Sequence, residues 1–233
     1  MIGSKIFLQF DGAAHIAEIF INQQSVAKHY CGYTSFRVDI SDLVHAGKNH
    51  LAVKLDCREN PEIPPFGFVI DYLTYGGLYR DVWMDIRPNT YIEDVFVYTK
   101  DKNTIHVDVS CVGNPMTTDV EIFSPNGSLV ATAKDCQNST DIYISQPKLW
   151  SMDHPNLYKC VVTIKNEDYI DTLETTFGMR VAEFREDGFY LNGTKVFVRG
   201  LNRHQCYPYI GYALPEHLQR EDARIPCSAY PPR

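Results

Sequence analysis

The chain has 233 residues, and its composition, 44% hydrophobic, 22% charged and 12% aromatic, is typical of a globular protein with a substantial core. Its formal net charge of −7 and the lack of any cluster of Lys and Arg argue against nucleic acid and anionic membranes as partners. No apolar run approaches the roughly 18–20 residues that are needed to span a bilayer, which argues against a membrane-spanning class.

Most of the first 200 residues consist of short segments in which apolar and polar residues alternate, with turn residues between them. Alternation with a period of two is the pattern of half-buried strands, and strands spaced by roughly 8–12 residues are typical of β-sandwiches. The predicted strands are 5–10, 17–22, 35–40, 51–56, 80–86, 93–99, 104–112, 119–124, 128–134, 140–145 and 158–165. The sequence therefore predicts a mainly β fold.

A domain boundary is predicted near Pro88, because proline ends a strand and supplies no donor to a β-ladder. We place a first sandwich at 1–88 and a second at 89–178. The second has the length and strand number of an immunoglobulin-like domain. The alternative is one continuous large sandwich over both ranges.

After residue 178 the pattern changes from sandwich strands to the beginning of a β/α unit. The pair Asn192-Gly193 predicts a tight hairpin turn, and the apolar run 195–200 predicts a further strand. The segment 214–225 predicts the first helix. A strand, a polar loop and a helix in succession are how a β/α unit begins.

The ends of this predicted helix are marked by specific residues. Pro215 suits the first helical position, and Glu216 with Arg220 forms an i,i+4 pair of opposite charge. Pro226 is expected to end the helix, since proline removes a backbone donor and clashes with the preceding turn.

The cysteines favour a reducing environment. There are seven, an odd number, and no Cys-x-x-Cys pair occurs, which argues against a disulfide framework and against a zinc site. The first fifteen residues contain no long apolar stretch followed by a cleavage site, so we expect a cytoplasmic location.

Three segments of the chain carry a family resemblance: "YGGLYRDVWM" (75–84), "LWSMDHPNLYKC" (149–160) and residues 177–222. In this order they resemble glycoside hydrolase family 2, and most closely its β-galactosidase branch. The first resembles the end of the family's sugar-binding jelly roll, the second a late strand region of its immunoglobulin-like domain, and the third the beginning of its catalytic (β/α)8 barrel. Within that range, Arg203-His204-x-x-x-Pro208 is more galactosidase-like, because glucuronidase-like members tend to carry Lys at position 203.

The resemblance implies a fold in three parts. These are a truncated jelly-roll sandwich at 1–88, an immunoglobulin-like sandwich at 89–178, and the first β/α element of a (β/α)8 barrel at 179–233. A complete barrel takes about 250 residues, so we expect the segment from about 180 to be poorly ordered alone or to pack back on the second sandwich. Within the tail 226–233, "CSAYPP" (227–232) faintly resembles the family's second barrel strand, with Ala229 where the family has His. A deletion and an unrelated reading frame both stay open, and the departure favours the unrelated reading frame.

The chemistry implied by the resemblance is retaining hydrolysis of a β-glycosidic bond, which uses two carboxyl groups about 5–5.5 Å apart. In the family both are Glu residues on later barrel strands, the acid/base Glu following an Asn. The one Asn-Glu pair here, Asn166-Glu167, falls in a predicted turn of the second sandwich. We therefore expect both catalytic Glu residues to lie beyond residue 233 and the chain to be inactive alone.

The resemblance also implies substrate contacts within the chain. His204 corresponds to a family His beside the bound sugar, and Asn202 and Arg203 organise the barrel mouth. Asp71 corresponds to an Asp that the jelly roll sends into the catalytic pocket, where in some relatives it contacts galactose and a Na⁺ ion. From the residues alone, His204 is more often structural and Asp71 caps a turn. A Cys206–His204 nucleophile is disfavoured, because no orienting partner is recognisable.

A β-linked galactoside or oligosaccharide is the ligand that the resemblance implies. It requires no cofactor of this chain, and allows Mg²⁺ and Na⁺ in the complete enzyme. It also allows a homo-oligomer or a complementing polypeptide that carries the rest of the barrel. The alternative function is a non-catalytic carbohydrate-binding or complementation module.

Overall fold

The computed structural model describes residues 4–64, 66, 74–166, 169–200 and 202–229, with backbone only for the last four. The elements within these ranges are β1 Ser4–Phe10, β2 Ala13–Ala14, β3 Ile16–Ile21, β4 Gln24–Tyr30, β5 Phe36–Asp39, β6 Leu51–Asp56, β7 Gly77–Leu78, β8 Val82–Pro88, β9 Tyr91–Thr99, β10 Thr104–Val112, β11 Thr117–Phe123, β12 Leu129–Ala133, β13 Ser139–Tyr143, β14 Tyr158–Lys165, β15 Ile170–Phe177, β16 Ala182–Arg185, β17 Gly188–Leu191, β18 Thr194–Val196 and α1 Glu216–Ala229. The prediction of a mainly β fold is confirmed. No helix in the described ranges is long and apolar enough to cross a membrane.

The chain divides into two compact units. The first unit comprises residues 1–86 together with 201–233, and the second unit comprises residues 87–200. The segment after residue 200 therefore groups with the first unit, and the expectation that it packs on the second sandwich is wrong for these residues.

The first unit is built around two three-stranded antiparallel sheets, in the orders β5-β1-β8 and β4-β3-β6, with the short pair β2-β7 beside them. Both sheets contribute alternate residues to one core, as strands with a buried face do. In β3, for example, Ala17, Ile19 and Ile21 are buried while the residues between them are partly exposed. The core of this unit consists of Ile6, Leu8, Phe10, Ala13, Ala17, Ile19, Ile21, Val38 and Ile40.

The second unit contains a seven-stranded sandwich whose sheets have the orders β13-β10-β9 and β12-β11-β14-β15. Alternation again selects the core: Val120 and Ile122 of β11 and Val162 and Ile164 of β14 are fully buried, whereas their sequence neighbours are not. The described cysteines in both units are free thiols.

A buried tyrosine fixes the corner that leads into β14. Tyr158 is 2% exposed, its ring stacks on Phe177 at 5.6 Å, and its hydroxyl accepts a hydrogen bond from the Lys148 backbone N–H at 2.8 Å. A Tyr at the start of the sixth strand that bonds to backbone a few residues upstream is the tyrosine corner of immunoglobulin-like sandwiches. The second sandwich therefore has a local feature of that fold as well as its strand number.

The hairpin after the sandwich forms as predicted. Leu191 of β17 pairs with Thr194 of β18 across Asn192-Gly193, whose φ angles of 53° and 85° suit a type I′ turn. The strand predicted at 195–200 is wrong beyond Val196. Residues 197–200 lie outside any strand, and Phe197 and Val198 are 81% and 70% exposed, so no described neighbouring strand provides a ladder for them.

The helix α1 extends further than predicted. It begins at Glu216 rather than at residue 214, and the Glu216–Arg220 ion pair is present with an N–O distance of 2.5 Å. The prediction that Pro226 ends the helix is wrong, because α1 continues to Ala229. The fixed φ angle of proline lies in the helical range, so a proline can occupy a helix although it removes one N–H donor and its ring crowds the carbonyl four residues earlier.

Candidate functional site

Three of the four predicted site residues lie on one described segment of the first unit. Asn202, Arg203 and His204 follow one another on exposed, irregular backbone between β18 and α1. Asp71 lies outside the described residues; the described chain resumes at Thr74, three residues later. Its predicted roles toward sugar and Na⁺ therefore stay predictions. In the ranges that the structure describes, no group of three or more His, Cys, Asp or Glu residues could hold a metal ion.

Arg203 is bound to the helix. Its guanidinium donates to the Asp222 carboxylate, with Nη2–Oδ2 and Nε–Oδ2 distances of 2.6 and 3.1 Å, and to Oε1 of Gln219 at 2.8 Å. Both side chains of the ion pair are about one-third exposed. An ion pair of this exposure contributes on the order of 0–1 kcal/mol to stability. Its main consequence is geometric, since it ties the segment before His204 to α1.

A cluster of four tyrosines joins the second half of this segment to the sandwich; we refer to Tyr33, Tyr75, Tyr79 and Tyr212 as the tyrosine cluster. Tyr212 is 3% exposed and lies at its centre. Its ring centroid is 5.0 Å from that of Tyr75 in an edge-on arrangement, and 6.0 and 5.9 Å from those of Tyr33 and Tyr79. Distances and tilts of this kind are the preferred geometry of aromatic pairs.

Polar contacts complete the tyrosine cluster. The hydroxyls of Tyr33 and Tyr212 are 3.5 Å apart, and Arg80 donates to the backbone carbonyl of Tyr212. The Tyr79 hydroxyl donates to the Gly32 carbonyl. Burial raises the pKa of Tyr79, and burial together with the hydrogen bond to Tyr33 raises the pKa of Tyr212. Both phenols are therefore neutral at physiological pH.

Two glycines allow the close approach of backbone at this contact. Tyr207 and Gly211 exchange two backbone hydrogen bonds of 3.1 and 3.0 Å, which closes a turn. Gly211 has a φ of 54°, and a Cβ atom there would lie 2.9 Å from ring atoms of Tyr75. Gly76 is similarly confined, because its Cβ would lie 2.3 Å from Sγ of Cys57. These positions require glycine on steric grounds.

The contact brings together two of the segments that carry the sequence resemblance. Tyr75 and Arg80 belong to the segment 75–84, and Tyr212 belongs to the segment 177–222. Sequence analysis did not identify Tyr33, Tyr75, Tyr79 or Tyr212 as site residues. A signal that could have indicated Tyr212 is the Gly211-Tyr212 pair in "YIGY" (209–212), which follows the predicted site residue His204 by a few positions.

The second unit carries a separate polar cluster that the sequence did not predict either. On the exposed face of the sheet β13-β10-β9, Nδ1 of His106 lies 2.5 Å from an Asp141 oxygen, and Nε2 lies 2.8 Å from Oγ of Ser139 and 3.1 Å from an Asp108 oxygen. Lys100 also binds Asp141, at 2.6 Å. Hydrogen bonds to Asp141 and then to Asp108 raise the pKa of His106.

The chemical consequence is that this Ser-His-Asp arrangement does not provide a nucleophile. A general base must have a free lone pair on the nitrogen that faces the hydroxyl. Asp108 competes with Ser139 for that nitrogen and favours the imidazolium, which has no free lone pair. We interpret the cluster as a stabilising network between β10 and β13.

Comparisons with known proteins match the parts of the chain that form the two sandwiches. The family model described as "Glycosyl hydrolases family 2, sugar binding domain" matches residues 1–88, and the model "Glycosyl hydrolases family 2" matches residues 90–180. The β-galactosidase of Thermoanaerobacter pseudethanolicus is 37% identical over 240 residues, covering 96% of this chain and 32% of that protein. The β-galactosidase of Thermoanaerobacterium thermosulfurigenes is 36% identical, covering 94% of this chain and 34% of that protein.

Among solved structures, the FMN-binding β-glucuronidase from Facaelibacterium prausnitzii L2-6 is similar with a TM-score of 0.86 and 29% identity. The match covers 97% of this chain and 37% of that one. The chain therefore spans about a third of the length of the curated relatives that it matches. The chain is thus similar in sequence to β-galactosidases and in structure to a β-glucuronidase.

Proposed function

The chain belongs to family 2 of the glycosyl hydrolases, since the two family models together match all but one of its first 180 residues, and we propose that it is the sugar-binding part of a retaining β-galactosidase. The family membership supports glycoside hydrolysis as the reaction class. The choice of galactoside, and the role of each residue, are proposals that rest on the arguments below.

The observation that carries the choice of substrate is the ion pair of Arg203. A glucuronide carries a carboxylate, and a site that prefers it needs a cation available to that carboxylate. The charge of Arg203 is instead paired with Asp222, and its remaining contact is Gln219. A neutral sugar such as a terminal β-galactoside fits this arrangement better, and the identities of 37% and 36% to two β-galactosidases support the same choice.

The roles of the residues follow from the reaction. Retaining hydrolysis needs a nucleophilic carboxylate and an acid/base carboxyl about 5–5.5 Å apart. We place this pair outside the 233 residues, on the catalytic barrel, so this chain is inactive alone. Asp71 and His204 bind sugar hydroxyls, and Asn202 and Arg203 organise the segment that presents His204. Na⁺ at Asp71 and Mg²⁺ elsewhere belong to the complete enzyme, for which a cytoplasmic location is proposed.

The tyrosine cluster supports this assignment of roles. Tyr75 comes four residues after Asp71, Tyr212 comes eight residues after His204, and the two rings are in contact at 5.0 Å. The described residues that follow the jelly-roll loop and the segment after β18 are therefore in contact within the first unit. His204 belongs to the second of these segments, and Asp71 comes three residues before the first of them in the sequence.

A second candidate function is a carbohydrate-binding or complementation module without catalysis of its own. The match of residues 1–88 to a sugar-binding domain model favours this alternative. Such a module would act as a homo-oligomer or with a second polypeptide that carries the barrel. As a binding module it predicts sugar binding by the chain and no hydrolysis in any mixture, whereas as a complementation module it predicts hydrolysis only with the polypeptide that carries the barrel.

The proposal is tested by measuring hydrolysis and binding in parallel. Purified chain is assayed with chromogenic β-galactoside and β-glucuronide, alone and mixed with the catalytic domain of the Thermoanaerobacter pseudethanolicus β-galactosidase. Binding of galactose and of glucuronate to the chain alone is measured by calorimetry, with Na⁺ or K⁺ as the salt. We expect no hydrolysis alone, galactoside hydrolysis in the mixture, and binding of galactose but not of glucuronate.

The variants His204→Asn and His217→Asn distinguish the loss of the proposed sugar contact from a general effect of removing an exposed histidine. His217 is an exposed residue on α1 and serves as the matched control. Loss of galactose binding in His204→Asn alone supports the assigned role. Preferential binding of glucuronate would contradict the choice of substrate, and hydrolysis by the chain alone would contradict the placement of the catalytic carboxylates.

A further inference from the structure

The exposed face of the sheet β13-β10-β9 in the second unit carries two neighbouring aromatic side chains. Phe96 and Tyr98 of β9 are 59% and 43% exposed, whereas Val97 between them packs against the core. The centroids of the two rings are 5.8 Å apart, so the rings form one continuous apolar surface. An exposed apolar surface that is rimmed by polar residues is a mark of an interaction site.

The two ends of this aromatic pair carry charges of opposite sign. Asp94 lies two residues before Phe96, is exposed, and pairs with Ser110 of β10. Lys100 lies two residues after Tyr98, and its ammonium contacts Asp141 of the same face at 2.6 Å. Along β9 the exposed face is therefore acidic, aromatic, aromatic and basic. This order is complementary to its own reverse, since the reverse brings the base to the acid and one ring to the other.

A second copy of the chain that packs on this face with β9 antiparallel to β9 uses that complementarity. A two-fold axis that runs across the strands at the level of Val97 brings Asp94 opposite Lys100 of the second copy, because both are three residues from Val97. The same axis brings Phe96 opposite Tyr98. Interfaces in which one patch meets itself about a two-fold axis are the commonest kind in homo-oligomers.

The neighbouring strand β10 obeys the same symmetry. Val97 pairs with Val107, so the axis crosses β10 at Val107. His106 and Asp108 lie one residue to either side, and the axis therefore brings His106 opposite Asp108 of the second copy. The raised pKa of His106, which results from its hydrogen bonds to Asp141 and Asp108, favours the cation in this position.

The third strand, β13, completes the pattern. Val107 pairs with Thr140, and the axis brings Ser139 opposite Asp141 of the second copy. On these three strands each charged side chain thus meets an opposite charge or a hydroxyl. Like charges across an interface cost several kcal/mol by the usual estimate, about enough to exclude a register, and this register avoids them.

We propose that the chain forms a two-fold symmetric dimer through the exposed face of the sheet β13-β10-β9, with Asp94 of each copy paired with Lys100 of the other. Three strands offer a small area, at the low end of protein interfaces, below about 1,200 Å² in total. The dimer is therefore reversible and dissociates on dilution. Its formation does not depend on the sugar that the chain binds.

The test is the oligomeric state of the full chain, measured by sedimentation velocity over about a hundredfold range of concentration. We expect wild type to change from monomer to dimer across this range. Asp94→Lys and Lys100→Glu each place like charges at both ends of the interface, so each should weaken the dimer by about tenfold or more. Phe96→Ser keeps every charge and removes the central apolar contact, and it should also weaken the dimer by about tenfold or more.

An equimolar mixture of Asp94→Lys and Lys100→Glu identifies the pairing. In the mixed dimer one copy has two positive charges at these positions and the other has two negative charges, so both pairs are attractive again. We expect the mixture to form a heterodimer about as stable as the wild-type dimer. A substitution that only disturbed the sheet of its own chain would not be repaired by mixing.

The matched controls are Asp153→Lys and Lys134→Glu, which reverse exposed charges of the second unit outside this sheet. They should leave the dimer unchanged, alone and mixed, and circular dichroism shows whether each variant is folded. A wild-type chain that stays monomeric overturns the proposal and leaves the face to another occupant, such as a sugar or a different polypeptide. A dimer that survives both charge reversals, or a mixture that stays monomeric, overturns the assigned pairing.

Discussion

The substitution Tyr158→Phe tests whether the second sandwich depends on its tyrosine corner. It removes one oxygen atom from a side chain that is 2% exposed and leaves the ring stacked on Phe177. What is lost is the 2.8 Å hydrogen bond from the Lys148 N–H. A typical intramolecular hydrogen bond contributes about 0.5–1.5 kcal/mol, and leaving a buried donor without a partner costs about 1–3 kcal/mol.

The residue Lys148 is itself exposed, so water reaches part of the freed N–H, and we place the loss at about 1 kcal/mol. Urea unfolding of wild type and variant, followed by circular dichroism, measures this difference; the slope m should stay the same and the midpoint should fall. In a thermal scan the same loss lowers Tm by about 4–8 °C if the second unit unfolds as a domain of roughly 100 residues.

The matched control is Tyr143→Phe, which removes a hydroxyl from a side chain that is 65% exposed. It should leave the midpoint within about 0.5 kcal/mol of wild type, as surface substitutions usually do. An equal loss in both variants, or no loss in Tyr158→Phe, would refute the view that the corner stabilises this sandwich.

Two further predictions concern the same unit. A Cβ atom on Gly178 would lie 2.9 Å from three Trp150 side-chain atoms, so Gly178→Ala should lower the free energy of unfolding in urea by about 1–3 kcal/mol. The control is Gly200→Ala, because a Cβ atom on Gly200 would have no atom within 4 Å, and it should leave that free energy unchanged. Hydrogen bonds to Asp141 and Asp108 raise the pKa of His106 above its usual value of about 6.5. The stabilisation by the His106 imidazolium is therefore complete below pH 6.5, about the pKa of the unfolded chain, and is lost as the pH rises through the raised pKa of the folded state. The difference in unfolding free energy between wild type and His106→Gln should therefore shrink between pH 6 and 9, and a difference that stays constant would show that the imidazolium contributes nothing.

Strands whose inward residues are fully buried were predictable from the sequence. In "TIHVDVSCV" the alternation of Ile105, Val107 and Val109 with polar residues corresponds directly to β10. The strand β4 was missed because none of its residues is fully buried, so "QSVAKHY" has no apolar face to reveal it. The strand β15 was missed for a related reason: in "IDTLETTF" the partly buried positions hold Asp171 and Thr175 as well as Leu173, so the apolar alternation is interrupted. Strands of this kind form because a neighbour supplies a ladder, and a local pattern does not contain that neighbour.

The candidate site was predictable only in part for the same reason. The family resemblance indicates His204 and its neighbours, because those residues are contiguous. The hydrogen bond between Tyr33 and Tyr212 joins residues 179 positions apart, and that between Arg80 and Tyr212 joins residues 132 positions apart. Such contacts depend on how elements of the first unit are placed in space, which periodicity and propensity do not specify. The continuation of α1 beyond Pro226 is a different case, in which the local rule that proline disfavours a helix interior did not decide where the helix ends.

The question of substrate depends on charge at a few positions rather than on similarity over the whole chain. Positions that pack a sandwich, such as the buried Ile122, are equally suited to a β-galactosidase or a β-glucuronidase. The interaction between a sugar carboxylate and a protein cation falls off over about 8–10 Å at physiological salt, so only residues beside the sugar can discriminate by charge. Arg203 is adjacent to His204, and its pairing with Asp222 cancels the positive charge that a carboxylated sugar would require. Replacing Asp222 with Asn would release that charge, so Asp222→Asn should gain affinity for glucuronate while its affinity for galactose changes less.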